Sequence, residues 1–157
     1  MTKSKSYLPF LIAVVTSIAG CSTQAPPKVA EGQQKISVII DNISPTSGVL
    51  RVALYNSKNH WLSDNGMVRA RLVMVDESTE RLEFWGLPSG DYGIAVYHDI
   101  NSNNVMDMKY IVIPNEAYGF SNNARGSFGL GSPGFKKAKF AVPQLEPQRI
   151  LLNQPPI

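Results

Sequence analysis

A turn signature stands near the middle of the chain, Leu87-Pro88-Ser89-Gly90-Asp91-Tyr92. It combines a Pro-x-Gly turn with a Leu-x-x-Gly-x-Tyr spacing. In Greek-key sandwiches this spacing is typical of the tyrosine corner, in which the phenol hydroxyl donates a hydrogen bond to backbone a few residues upstream. Such a corner satisfies the hydroxyl locally when the ring is buried. The stretch therefore predicts a β-sandwich with Tyr92 near the start of one strand.

Short segments of alternating polarity flank this turn on both sides. Apolar residues alternate at Ile36, Val38 and Ile40, and Gly, Pro, Asn and Asp separate the segments. No stretch keeps a helical period over three turns. We predict strands at residues 36–40, 49–55, 69–75, 79–85, 91–98, 109–113, 137–142 and 148–152. The pattern predicts an all-β chain: a single antiparallel Greek-key sandwich of seven to eight strands over residues 36–157.

The N-terminal segment is typical of an export signal. Lys3 and Lys5 precede an apolar run over residues 8–21, which is too short to span a bilayer as a mature helix. The run ends in Ile18-Ala19-Gly20-Cys21, which resembles the lipobox of bacterial lipoproteins. That resemblance implies cleavage before Cys21, so that residues 1–20 are the signal peptide, and fatty acylation of the cysteine. The alternative is an ordinary secretory signal with a cysteine nearby.

We predict that residues 21–35 form a lipidated flexible tether. They contain a Pro-Pro pair and no apolar period, and a chain of this length has an r.m.s. reach of about 20 Å. Several acyl chains on Cys21 would anchor the protein stably in the lipid bilayer. In lipoproteins of two-membrane envelopes an aspartate after the cysteine is the inner-membrane retention signal. Ser22 therefore predicts a bacterial envelope protein at the outer membrane, facing the periplasm.

Composition excludes several classes of function. The chain has 15 Lys plus Arg against 12 Asp plus Glu, and loss of Lys3 and Lys5 leaves a net charge near +1. Because no basic run exceeds Lys136-Lys137, we expect no nucleic-acid partner. With its one cysteine committed to lipid, the mature chain has no disulfide and no cysteine nucleophile. We expect a packed core to supply its stability.

The loop after the fifth predicted strand has oxygen-bearing residues at the spacing of a calcium loop. Positions 1, 3, 5, 7 and 9 are Asp99, Asn101, Asn103, Val105 through its carbonyl, and Asp107. Asn104 replaces the expected glycine and Tyr110 replaces the bidentate glutamate, so Glu116 or backbone oxygens would have to complete the shell. The alternative is a loop of side-chain-to-backbone turns that holds no metal.

A long Gly-rich segment follows at Pro114–Lys136. Aromatic and polar residues within it form a candidate binding loop: Tyr118, Phe120, Ser121, Asn122, Asn123, Arg125, Phe128 and Phe135. Loops of this length are often functional, and aromatic residues favour either a recognition surface or an Ω-like loop folded over the sandwich. The alternative is that the aromatic side chains plug one end of the core.

Several motifs together resemble known families. Leu87-Pro88-Ser89-Gly90-Asp91-Tyr92 is similar to transthyretin-like and carboxypeptidase-regulatory-like sandwiches, which are not usually catalytic. With Arg51–Tyr55, the Asp99–Asp107 loop and Ile113–Ala124, it resembles the bacterial exported family called domain of unknown function 2141. That family usually has Gly at the positions of Asn104 and Val112. The resemblance implies a small exported β domain, often lipid-anchored, and no established activity.

Two hypotheses of function stay open. The first is a non-catalytic binding or structural lipoprotein whose two unusual loops, stiffened by a calcium ion or by their own hydrogen bonds, recognise an envelope protein or glycan. The second is an envelope hydrolase that pairs Asp99, Asp107 and Glu116 as acid and base. Neither His60 nor His98 belongs to a metal-ligand spacing, and no nucleophile elbow is present.

Overall fold

The computed structural model describes residues 33–109, 113–127 and 131–155. The signal peptide, Cys21 and nearly all of the tether lie outside these ranges, as does Phe128. The described strands are β1 (Gln34–Asp41), β2 (Val49–Tyr55), β3 (Met67–Met74), β4 (Thr79–Leu87), β5 (Gly90–Asp99), β6 (Met108–Lys109), β7 (Ile113–Pro114), β8 (Tyr118–Phe120), β9 (Phe140–Val142) and β10 (Gln148–Leu151). One short helix, α1 (Phe135–Ala138), precedes β9, and 3-10 turns cover Asp64–Gly66 and Ser121–Asn123.

The long strands form two packed sheets. One has the order β10-β1-β4, and the other has the order β3-β2-β5-β8, with β9 paired to the start of β5. The β6–β7 pair forms a separate small hairpin. The described part of the chain is thus an all-β sandwich, as predicted. One pair departs from the antiparallel rule, because β1 and β10 run parallel with Asp41 beside Leu151.

Alternating apolar residues of both sheets make the core between them. Ile36, Ile40 and Leu50 are fully buried, as are the inward residues of β4 and β5 such as Phe84 and Ile94. The burial of Ile36, Val38 and Ile40 confirms the apolar face predicted from their alternation. None of the helices in the described ranges has the length and hydropathy to cross a membrane.

The tyrosine corner forms as predicted. The Tyr92 hydroxyl donates a hydrogen bond to the Pro88 carbonyl over 2.9 Å, and the ring is buried in the main core. The corner turns the chain from β4 in one sheet to β5 in the other. It thereby fixes the start of β5, the strand whose far end carries the Asp99 loop.

Three predictions about local structure were wrong. Residues 109–113 are not one strand: Met108–Lys109 and Ile113–Pro114 pair as two strands. Residues 137–142 begin in α1, and only Phe140–Val142 is extended. The 114–136 segment is not one irregular loop, because its residues Tyr118–Phe120 form β8 and pair with β5. In each case the element concerned has only two to four residues, which is too few for a periodic pattern to reveal it.

Candidate functional site

Asp99 ends β5 and organises the loop that follows. Its side chain is fully buried, and Oδ2 accepts hydrogen bonds from Arg51 Nε over 2.6 Å and from the Asn104 N–H over 3.0 Å. Its Oδ1 accepts the Asn103 N–H over 3.0 Å. Gly48 packs against this point, and a Cβ there would lie 2.7 Å from the Asp99 carbonyl oxygen. The carboxylate therefore joins β2 to the loop backbone.

These contacts keep Asp99 ionised. Burial by itself raises the pKa of a carboxyl group, but the hydrogen bonds from Arg51 and from the Asn104 and Asn103 N–H groups outweigh burial, and the pKa of Asp99 lies below its ordinary value. Arg51 also donates from Nη2 to the Asn104 side-chain oxygen. The Arg51 guanidinium thus binds two groups at this end of the sheet.

The exposed part of the loop is a chain of side-chain turns. Asn101 Oδ1 accepts the Asn103 N–H over 3.1 Å, and Asn103 Oδ1 accepts the Val105 N–H over 3.0 Å. Both amide groups donate to Asp107, at 2.7 and 3.0 Å. Asn104 takes a left-handed φ of 72°, which asparagine tolerates in place of glycine. Short side-chain-to-backbone bonds thus shape the exposed part of the loop, in addition to the contacts of Asp99 and Arg51 at the ends of the strands.

Glu116 lies in the segment that follows the loop and holds the two ends of the loop by hydrogen bonds. Its side chain is buried, and its two oxygens accept the Ile100 and Asp107 N–H groups, each over 3.1 Å. Burial raises the pKa of Glu116; the two N–H donors oppose that rise, and the nearby carboxylates of Asp107 and Asp99 add to it. The structure thus brings together the three carboxylates that the sequence singled out.

The donor set of this loop fits internal hydrogen bonding better than a cation. Asp99 is shared with the Arg51 guanidinium, and the Asn101 and Asn103 oxygens already hold backbone N–H groups. Within the described residues, no group of three or more His, Cys, Asp or Glu side chains is arranged to hold a metal ion. This geometry favours the alternative without metal, and the calcium site stays a prediction to be tested by titration.

The aromatic residues of the 114–136 segment pack together. Phe120 and Phe135 are buried and each packs against Trp61, and the half-buried Tyr118 packs against Phe120. Ring centroids lie 6.0 Å apart for Trp61 and Phe120 and 5.5 Å apart for Trp61 and Phe135. Trp61 Nε1 donates to the Pro133 carbonyl over 2.8 Å. These rings therefore serve as a small second core, which agrees with the plug interpretation more than with a free recognition surface.

The polar residues of the same segment hold neighbouring backbone. The buried Ser121 hydroxyl accepts the Ile94 N–H over 2.8 Å and donates to the Ala138 carbonyl over 2.6 Å. Asn122 Nδ2 donates to the Lys139 carbonyl over 2.9 Å, and Asn123 Oδ1 accepts the Leu151 N–H over 2.8 Å. Arg125 is exposed. All but Arg125 thus have side chains that tie β5, α1 and β10 together.

A groove lies on the outer face of the five-stranded sheet. Ala70, Ala53 and Ala95 are register partners across β3, β2 and β5, and their small side chains form its floor. The neighbouring row of register partners contains Arg51 and Tyr97. The groove has a volume of about 640 Å³, and its walls include Tyr55, Leu62, Met67, Leu72, Val105, Met106, Met108, Tyr118 and Phe120.

The groove joins the two segments that the sequence analysis had treated separately. Val105 and Met106 come from the Asp99–Asp107 loop, and Tyr118 and Phe120 come from β8. Sequence reasoning missed the groove because its floor is a row across three strands, and alanines spaced along a sequence do not show that they are register partners. It also missed Trp61, although an aromatic residue in a polar loop was a usable signal.

Comparison with known proteins identifies the family to which this chain belongs. The sequence profile described as an uncharacterized protein conserved in bacteria, DUF2141, matches residues 38–150. The chain belongs to the DUF2141 family. No curated protein and no solved structure matches it.

The DUF2141 match covers every part of the candidate site. Arg51, Asp99, the following loop, Glu116 and the groove all lie within the matched residues. Asn104, which stands where the sequence resemblance implied glycine, keeps the left-handed backbone that glycine would give. Val112, at the second departure, lies outside the described residues. The one departure that can be examined therefore leaves the loop conformation intact.

Proposed function

We propose that this DUF2141 protein is a lipid-anchored, non-catalytic binding protein of the bacterial envelope, and that its sandwich takes an apolar ligand or partner segment in the groove. The observation that carries this proposal is a concentration of exposed apolar side chains. Ten large hydrophobic side chains are exposed in the described residues, and half of them line the groove: Leu62, Met67, Leu72, Val105 and Met108. Contiguous apolar surface of this kind marks interaction sites.

The shape and chemistry of the groove support a binding role. Its volume falls in the range of about 300–1,000 Å³ that is usual for ligand sites. Three methionines, Met67, Met106 and Met108, line it, and unbranched side chains of this type adapt to apolar ligands of different shapes. Tyr97 adds an aromatic ring with a polar end beside the alanine floor. The arrangement suits a ligand that is mainly apolar and carries a few polar atoms.

The anchoring part of the proposal rests on the lipobox-like sequence at Cys21. A thioether-linked lipid on this residue, followed by a tether to Lys35, would hold the sandwich near the membrane surface. Ser22 supports sorting to the outer membrane, with the domain facing the periplasm. The partner would then be a component of the envelope, either a protein or a glycan.

The hydrolase alternative has less support from the geometry. Asp99 and Glu116 are buried, and both are occupied by N–H donors from the loop that they shape. His98 is also fully buried, with its Nε2 atom 2.6 Å from the Ser47 carbonyl oxygen. A general acid or base must come within hydrogen-bond reach of its substrate, and these groups are covered by protein. We therefore propose positioning roles for Asp99 and Glu116, and the same role for the half-buried Asp107 because it accepts the Asn101 and Asn103 amide groups.

Binding in the groove can be tested with an apolar fluorescent dye. The intact chain in lipid nanodiscs is titrated with anilinonaphthalene sulfonate, and the signal of empty nanodiscs is subtracted. Ala53→Leu fills the floor, so we expect it to abolish the protein-dependent signal. Ala141→Leu is the matched control, because Ala141 is exposed on β9 outside the groove. Equal binding by the two variants, or no protein-dependent binding at all, would contradict the proposal.

The anchor is tested separately. We expect mass spectrometry of the native protein to show an acylated Cys21 at its N-terminus and membrane fractionation to recover it with the outer membrane. Cys21→Ser should abolish the lipid modification. An unmodified thiol at position 21, or a freely soluble native protein, would refute this part of the proposal and leave the groove result unaffected.

A further inference from the structure

The strand β3 has an open edge. Among the described residues it pairs with β2 and with no other strand, and it is eight residues long. No backbone hydrogen bond from its far edge reaches another described element. Unpaired edges of this kind can accept a further strand, and proteins that use them bind extended peptides by β-augmentation.

The edge carries two basic side chains without acidic partners. Arg69 and Arg71 are both exposed, and neither belongs to any of the ion pairs found in the described residues. The Arg71 guanidinium lies over the Phe84 ring at 5.8 Å, and Arg69 Nη1 donates only to the Val68 carbonyl. The two arginines stand two residues apart, so their side chains leave the same face of the strand.

The opposite face of β3 contributes to the groove. Ala70 and Leu72 line it, and the Leu72 side chain is 66% exposed. A strand added to β3 would continue both faces of the sheet. Its residues on the arginine face would meet two positive charges, and its residues on the other face would extend the apolar wall beside Leu72.

A second copy of this chain would meet charge repulsion at this edge in two registers. In antiparallel self-pairing centred on Arg71, the two copies of that arginine would be direct cross-strand neighbours. Centring the pair on Ala70 would place each Arg69 opposite an Arg71. Like charges directly opposite one another are destabilising, whereas opposite charges stabilise a cross-strand pair. The charge of the edge therefore disfavours these two registers and favours an acidic strand.

We propose that β3 docks an extended segment of a partner protein in which acidic residues alternate with apolar ones, the acids facing Arg69 and Arg71. This inference rests on the proposed binding function and names its partner as a protein strand. Backbone hydrogen bonds along β3 would supply affinity, and the alternation of acidic and apolar side chains would supply the choice of partner.

The test uses two synthetic peptides and the intact chain in lipid nanodiscs. One peptide alternates Glu with Val, and the other alternates Lys with Val at the same positions. Fluorescence anisotropy measures affinity, and hydrogen–deuterium exchange locates the bound segment. We expect the Glu peptide to bind, to slow exchange in residues 67–74, and to bind at least about tenfold more tightly than the Lys peptide, given two cross-strand charge pairs.

Charge reversal gives the matched comparison. Arg69→Glu/Arg71→Glu should reverse the preference between the peptides, whereas Arg81→Glu/Lys136→Glu, which changes the net charge equally at exposed sites elsewhere, should not. Equal binding of both peptides, slowed exchange at another strand, or concentration-dependent protection of β3 without peptide would overturn the inference. So would protection of β3 by soluble peptidoglycan fragments in place of the Glu peptide.

The result of the peptide test can be distinguished from the result of the dye test for the proposed function. If the dye binds and Ala53→Leu abolishes its signal, but the Glu peptide does not bind, the strand proposal fails and the groove proposal stands. If neither probe binds, both fail.

Discussion

Arg51 and Asp99 form an ion pair that joins β2 to the end of β5, with Nε 2.6 Å from Oδ2 and the Asp99 side chain fully buried. The same arginine lines the groove, and the same carboxylate holds two N–H groups of the loop. One contact thus couples the stability of the loop to the shape of the groove wall.

Removing the cation should destabilise the fold. We expect Arg51→Ala to lower the free energy of unfolding by about 2–4 kcal/mol, because a buried carboxylate loses its counter-charge. Lys139→Ala is the control: its ion pair with Asp91 is exposed on both sides, and we expect a change within about 0.5 kcal/mol. Urea unfolding measures both. Equal effects of the two variants would refute a special role for the Arg51–Asp99 pair.

The two buried carboxylates should affect the pH dependence of stability in opposite directions. The pKa of Asp99 is lowered by folding, so its contribution is present above the unfolded-state pKa of about 4 and is lost as the pH falls through the folded-state value. The pKa of Glu116 is raised by folding, so its ionisation costs stability as the pH rises from about 4 through its folded-state value.

Unfolding of Asp99→Asn and Glu116→Gln across this range measures the effect. Relative to wild type, Asp99→Asn should lose less stability as the pH falls below about 4, and Glu116→Gln should lose less as the pH rises above it. A parallel shift of either curve, with no change in slope, would show that the residue does not contribute in this way.

The tyrosine corner should contribute about as much to the free energy of unfolding as one hydrogen bond. Tyr92→Phe removes the donor to the Pro88 carbonyl, and we expect a loss of about 1 kcal/mol in the free energy of unfolding. Tyr97→Phe is the matched control, because within the described residues the Tyr97 hydroxyl makes no hydrogen bond. A loss for Tyr97→Phe as large as that for Tyr92→Phe would contradict the assignment.

Because β8 packs closely against β10, replacing Gly119 by a larger residue should destabilise the fold. A Cβ on Gly119 would lie 2.6 Å from Ile150 Cγ2, so Gly119→Ala must push apart two buried elements. We expect a loss of about 1–3 kcal/mol, as for other overpacked cores. Nothing lies within 4 Å of a Cβ on Gly134, so Gly134→Ala should be close to neutral. Thermal unfolding of the two variants decides the point.

Calcium should leave the Asp99–Asp107 loop unchanged if its oxygens are committed to internal donors. We expect no rise in melting temperature at about 10 mM calcium, a concentration well above the dissociation constants of weak extracellular sites. A rise that Asp107→Asn abolishes would instead support the calcium interpretation and would show that the loop rearranges around the ion.

The sequence predicted the parts of the fold that repeat a local pattern. Alternation at Ile36, Val38 and Ile40 identified β1 and its buried face, and the spacing from Leu87 to Tyr92 identified the corner and its hydrogen bond. Both signals are carried by side chains that are close in sequence, where burial or turn geometry leaves little choice.

What the sequence did not predict depends on contacts between distant segments. The parallel pairing of β1 with β10 joins residues near the two ends of the domain, and the alanine floor joins Ala53, Ala70 and Ala95 on three strands. Phe120 and Phe135 were correctly singled out, but whether they face a ligand or Trp61 depends on how the segment folds back. Aromatic content alone cannot distinguish these outcomes.

The parallel course of β1 and β10 also places the entry and exit of the domain at opposite ends of the sandwich. The chain enters β1 beside Leu87, at the corner end, and leaves β10 beside Asp41, at the opposite end. The seven residue steps from Gln34 to Asp41 separate these levels by about 23 Å. A tether in front of β1 would therefore attach at the corner end of the sandwich and leave the Asp99 loop at the end farther from the attachment point.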